Sequence, residues 1–180
     1  MALGATMYVF EVRLADADRG VYQTLTMRMA RHPSETAEYL VTRLLAYCLE
    51  YTEGIALSKG LSDPDEPALS VRDLTGALQT WIEVGAPDAE RLHKAAKAAP
   101  KVVVYVHRDV EQLLARLAGE RIHRSSALRI QAVDRELLAA LVERLERRMD
   151  FDLAVSERTL YLSLGEETLT GVVAERRIEG

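Results

Sequence analysis

Apolar and polar residues alternate from the start of the patterned chain. In "MYVFEVRL", Tyr8, Phe10, Val12 and Leu14 fall on one face, which predicts a strand over 7–14. A second strand over 21–29 follows "ADADRG", with Val21, Leu25, Met27 and Met29 alternating with Tyr22, Thr24, Thr26 and Arg28. The period then changes. Ala37, Val41, Leu44, Leu45 and Cys48 recur at helical spacing and predict a helix from about 35 to 51, with Ser34 as N-cap and Gly54 just past its end. A short strand at 55–57, the loop "SKGLSDPDEP" and a hairpin come next. The hairpin is "ALSVRD", then "LTGA", then "LQTWIEV". A helix over 88–99 opens on Asp88. "KVVVYV" at 101–106 is almost continuously apolar, as a strand covered on both faces must be.

Further on, one helix opens at Asp109 and stops at Gly119. Another opens at Asp134 and carries Leu137, Leu138, Leu141, Val142 and Leu145. Between them "GERIHRSSALRI" reads as a basic loop, solvated or touching a phosphate backbone through Arg121, His123, Arg124 and Arg129. Three short strands near 151–155, 159–164 and 168–173 complete the order. The pattern predicts α/β architecture: one domain over 1–180, with a mixed sheet and helices flanking it.

Composition narrows the function classes. A chain of 180 residues, 48% hydrophobic and 28% charged, has the make-up of a folded soluble domain. No apolar run spans a bilayer and the start lacks the pattern of a signal peptide, so no membrane partner and a cytoplasmic home are expected. Cys48 is the only cysteine, set among leucines as a buried thiol, and the four histidines lack zinc-ligand spacing. A net charge of -5 does not favour non-specific nucleic-acid binding, although a bound cation can bring phosphate to an acidic site.

The hairpin carries the candidate chemistry. With "LTGA" as the connection, Leu69 faces Ile82 and Ala68 faces Glu83. Leu69, Val71, Ile82 and Val84 then share one face, and Ser70, Gln79, Trp81 and Glu83 the other. Glu66 extends onto the Glu83 face, with Asp65 and Asp63 close behind. Acids converging at a strand end can hold Mg²⁺ or Mn²⁺, which generates hydroxide and offsets charge on a phosphate. The same acids are also what a solvated loop and strand end would carry. Trp81 can stack on a base or pack in the core, and His32 can shuttle a proton or stabilise the cap region.

The stretches "ARHPSETAEYLVTRLLAY", "SKGLSDPDEPAL", "LTGALQTWIEVG" and "PDAERLHKAAKAAPKVVVY" resemble the YaeQ family, over nearly the whole chain and most closely over 30–106. The resemblance implies a variant PD-(D/E)XK nuclease core: a helix, three antiparallel strands, a helix and a further strand. It implies a first acid at Asp65 or Glu66, a (D/E)XK element at Glu83-Val84-Gly85 whose lysine is missing, and help from Glu35. A lysine migrated to the following helix would be Lys94, with Arg91 as second candidate. The expected activity is a Mg²⁺-dependent (or Mn²⁺-dependent) nuclease or phosphodiesterase. Glu66, Asp65, Glu83 and Glu35 would hold the ion, with Lys94 supporting the attacking water. The alternative is a module that keeps the fold without catalysis and binds nucleic acid or a protein partner.

Overall fold

Alternation builds the N-terminal hairpin. In the computed structural model, which describes residues 4–58 and 65–178, β1 (Thr6–Asp16) pairs antiparallel with β2 (Val21–Arg31). Phe10, Val12, Leu14, Leu25, Met27 and Met29 face inward, while the polar alternates stay out. Helix α1 (Ala37–Leu49) starts two residues later than its spacing suggested. The side chain of Thr36, not Ser34, accepts from the Tyr39 N–H as the N-cap, and Ser34 turns back to His32 instead. The helix is buried well beyond its predicted stripe, with Thr42, Arg43 and Ala46 enclosed as well, because one side meets the sheet and another meets α4.

The remaining elements are β3 (Ile55–Leu57), β4 (Leu69–Arg72), β5 (Leu78–Val84), α2 (Ala89–Ala98), β6 (Lys101–Val106), α3 (Val110–Leu117), β7 (Arg129–Val133), α4 (Arg135–Glu143), β8 (Arg148–Ser156), β9 (Thr159–Leu164) and β10 (Glu167–Arg176). All the strands described join one sheet, ordered β2-β1-β8-β9-β10-β7-β6-β5-β4-β3. Most pairs are antiparallel. The exceptions are β1–β8, which ties the N-terminal hairpin to the C-terminal meander, and β5–β6–β7. The fold is therefore mixed α/β with a mostly antiparallel sheet.

The hairpin register follows its hydrophobic pattern: Leu69 pairs with Ile82, Ser70 with Trp81 and Val71 with Thr80, before a bulge at Arg72 shifts the pairing to Leu78. Asp88, Asp109 and Asp134 cap α2, α3 and α4 as expected. The segment read as a basic loop is different. After a short 3₁₀ turn at Ser125–Ala127 it becomes β7, an interior strand between β6 and β10. Its charge is absorbed by distant partners, for Arg129 pairs with Glu175 and Glu50.

Two apolar layers sandwich the β5–β6–β7 region. One gathers Leu69, Ile82, Val103 and Tyr105 beneath α1 and α4. The other sets Trp81, Val102 and Val104 against Leu92, Ala95 and Ala96 of α2 and Leu113 and Leu117 of α3. β6 is thus covered on both faces, and the C-terminal ends of its parallel neighbours open between the two layers. No helix among the described residues is long and apolar enough to cross a membrane. Cys48 is buried, and that burial pushes its thiol up to about 12.

Candidate functional site

In open α/β sheets, ligands collect in the crevice outside the carboxyl ends of the strands. Here a cavity of about 530 Å³ lies at that end of β5 and β6, walled by the start of α1 and by α2. Glu83 reaches it from the end of β5, Glu66 from the loop before β4, and Glu35 from just ahead of the α1 cap. The structure therefore brings three of the expected acids to one cavity. Asp65 and Lys94 do not line it. They pair with each other on the surface, 70% and 57% exposed, and the lysine lowers the Asp65 carboxyl below its usual range. Asp63 lies outside the described residues.

The centre of the site is the Glu83 carboxylate. Only 7% of its side chain is exposed, so it needs donors to offset lost hydration. Trp81, two residues earlier on the same face of β5, donates its indole N–H to Glu83 Oε1 at 2.7 Å. Arg91 supplies a fork, with Nε to Oε2 at 2.8 Å and Nη2 to Oε1 at 2.8 Å. Its Nη2 also donates to the Glu66 carbonyl at 2.8 Å, and its guanidinium lies 5.6 Å from the Trp81 ring centroid. The Glu83 carboxylate holds the Arg91 guanidinium above its ordinary pKa.

Local sequence explains the placement. Gly85 turns the chain out of β5 at φ +112°, a conformation strained for any other L residue. This is the position where the resemblance puts the motif's lysine, so the backbone itself disfavours a lysine there. The Asp88 cap accepts from the Arg91 N–H at 2.8 Å, which sets Arg91 in the first turn of α2 facing Glu83. Lys94 falls further round the same helix and points away. Of the two cationic candidates on α2, Arg91 is the one beside the acid.

At the α1 wall, Glu35 is 12% exposed at its side chain. Burial raises its carboxyl above the usual range, with Arg43 and His32 opposing that rise. Arg43, 3% exposed, approaches Glu35 Oε2 only to 3.7 Å and donates instead to the Ala30 carbonyl at 2.7 Å. Glu35 Oε2, Arg43 Nε and His107 Nδ1 are buried atoms without hydrogen-bond partners among the described residues, and all three residues line this cavity. Burial, and then Arg108, lower the His107 pKa. Sequence reasoning missed Tyr39, Arg43, His107 and Arg108. The last two directly follow the "KVVVYV" strand, and a position just past the carboxyl end of a parallel strand was the available signal.

A family model described as YaeQ protein matches residues 1–172. The chain belongs to the YaeQ family. Uncharacterized YaeQ proteins of Salmonella typhi and Escherichia coli K12 are 32% and 31% identical over 164 residues, 91% of this chain and 91% of each relative. The crystal structure of YaeQ protein from Pseudomonas syringae aligns at TM-score 0.85 and 33% identity, covering 98% of this chain and 97% of that one. That from Xanthomonas axonopodis pv. citri aligns at 0.83 and 30%, covering 97% and 99%.

Whether this YaeQ-family cavity suits Mg²⁺ or Mn²⁺ is a question of donors. Both Glu83 oxygens already accept from Arg91, and one also accepts from Trp81. Glu35 is turned toward Arg43. Among the described residues no three histidine, cysteine or acidic side chains come together as a group that could hold a metal ion. An ion that wants several oxygens does not fit this arrangement unless Arg91 first leaves Glu83.

Proposed function

We propose that this YaeQ-family chain is a nuclease-like module that holds nucleic acid at the Glu83 cavity without cutting it. The order α1-β3-β4-β5-α2-β6 is the one the PD-(D/E)XK core would have, and Glu83 stands at the end of its third strand. The single observation carrying the non-catalytic reading is the Arg91–Glu83 fork. It places a guanidinium on the acid that a nuclease would use for its cation, and it leaves that acid already satisfied. Arg91 would recognise a phosphate by exchanging the Glu83 carboxylate for it, since its planar fork fits either oxyanion bidentately. The overall charge of -5 confines any such binding to the cavity and its approaches.

A fluorescently labelled single strand of about 12 nucleotides tests this by anisotropy in EDTA, followed by gel analysis after addition of Mg²⁺ or Mn²⁺. Salt-sensitive binding in EDTA with the strand left intact is expected. Divalent-dependent cleavage that disappears in Glu83→Gln would overturn the non-catalytic reading in favour of a nuclease. Absence of binding would overturn the nucleic-acid reading itself.

A further inference from the structure

A second cavity, of about 590 Å³, adjoins the first. His107 and Arg108, the residues just past β6, line both. Its other walls come from Glu38 of α1, Asp109 and Gln112 at the start of α3, and Arg135 and Leu138 of α4. Each cavity has the volume of a site for a nucleotide-sized ligand, so a mononucleotide at Glu83 would leave the second one unused.

The arginines of the two cavities differ in kind. Arg91 forks Glu83, and Arg43 is buried between Ala30 and Glu35. Arg108 and Arg135 are exposed, and neither donates to or pairs with any acceptor among the described residues. The nearby acids do not neutralise them directly. The Asp109 side chain is engaged as the α3 cap, accepting from the Gln112 N–H at 3.2 Å, and Glu38 lines the same cavity without an ion pair to either arginine. Two uncommitted guanidinium groups therefore stand along the path away from Glu83, one at the shared wall and one beyond it.

We infer that the two cavities form one track for a single-stranded phosphodiester, with Arg108 and Arg135 contacting successive backbone phosphates beyond the nucleotide held at Glu83. Arg135 belongs to α4, outside the α1-to-β6 unit, so this chain's C-terminal half would contribute to the interface. The inference rests on the nucleic-acid reading proposed above and deepens it by naming a strand instead of a single nucleotide. Phosphate contacts position a strand without reading its sequence, so they act alike on every oligonucleotide.

The test measures anisotropy for labelled strands of increasing length, from a dinucleotide to about eight nucleotides, over a salt series in EDTA. Affinity should rise with length until both cavities are spanned. Each of Arg108→Ala and Arg135→Ala should flatten the log-affinity against log-salt slope by about 0.7, the release from one phosphate on a single strand. Arg148→Ala, which removes an exposed arginine lining neither cavity, should leave the slope unchanged. Circular dichroism confirms that each variant is folded. Strands that bind with the same slope in Arg108→Ala, Arg135→Ala and wild type would overturn the track while leaving the proposed function standing. Equal affinity for a mononucleotide and the longest strand would overturn it too. No binding at any length would overturn both.

Discussion

Removing Arg91 should expose how much of the site is built on one ion pair. Arg91→Met keeps an unbranched stem beside Trp81 and deletes the guanidinium. Glu83, 7% exposed, would lose two of its three hydrogen bonds, both at 2.8 Å, and would keep only the Trp81 indole. Breaking a buried pair by removing one partner costs about 3–5 kcal/mol. Arg91 is itself 24% exposed, so water takes over part of its role, and a loss of about 2–4 kcal/mol is expected. Urea unfolding at pH 7 measures it directly, and for a chain of this size it corresponds to a fall of about 5–15 °C in Tm. Glu83→Gln in the same chain removes the charge while keeping an oxygen for Trp81, and should recover most of the loss. A variant within about 0.5 kcal/mol of wild type, or one that Glu83→Gln fails to rescue, would refute the reasoning.

Three further outcomes follow from other contacts. Burial raises the Glu35 carboxyl, so its contribution to stability is present in acid and lost as pH rises through the folded pKa; Glu35→Gln should therefore raise Tm at pH 8 and flatten the profile, and an unchanged profile would refute the assignment. Lys94→Met should leave melting temperature and binding unaltered, because its only partner among the described residues is Asp65 on the exposed surface, and a marked loss of binding would return Lys94 to the site. Gly54→Ala should destabilise by about 2 kcal/mol or more in urea titration, since Gly54 has φ +93° and a Cβ there would lie 2.0 Å from the Arg72 carbonyl oxygen.

What the sequence revealed, and what it concealed, divides by the range of the interactions. The hairpin register was legible because one face of β4 and β5 is apolar and a one-residue slip would expose all of it. The caps Asp88, Asp109 and Asp134 were legible because a cap is a contact within one turn. β7 was not. Arg129 and Gln131 look solvated in a window of ten residues, yet they bond to Glu175, 46 and 44 positions away. At the site, the approach of Glu66 to Glu83 followed from the hairpin register, whereas Glu35 came only with the family resemblance. The choice of Arg91 over Lys94 followed from neither, because it depends on the side-chain geometry set by the Asp88 cap and the Gly85 turn. Arg43 was hidden for another reason: helical spacing gave α1 one apolar stripe, and Arg43 is buried off that stripe, beside Ala30 and Glu35.

The most direct test of a cavity that binds without a metal is the anomalous signal of manganese in a crystal soaked in Mn²⁺. The expected map shows no ordered manganese among Glu35, Glu66 and Glu83, with Arg91 still forked onto Glu83. A manganese ion coordinated by the Glu83 carboxylate, with Arg91 displaced from it, would contradict the account.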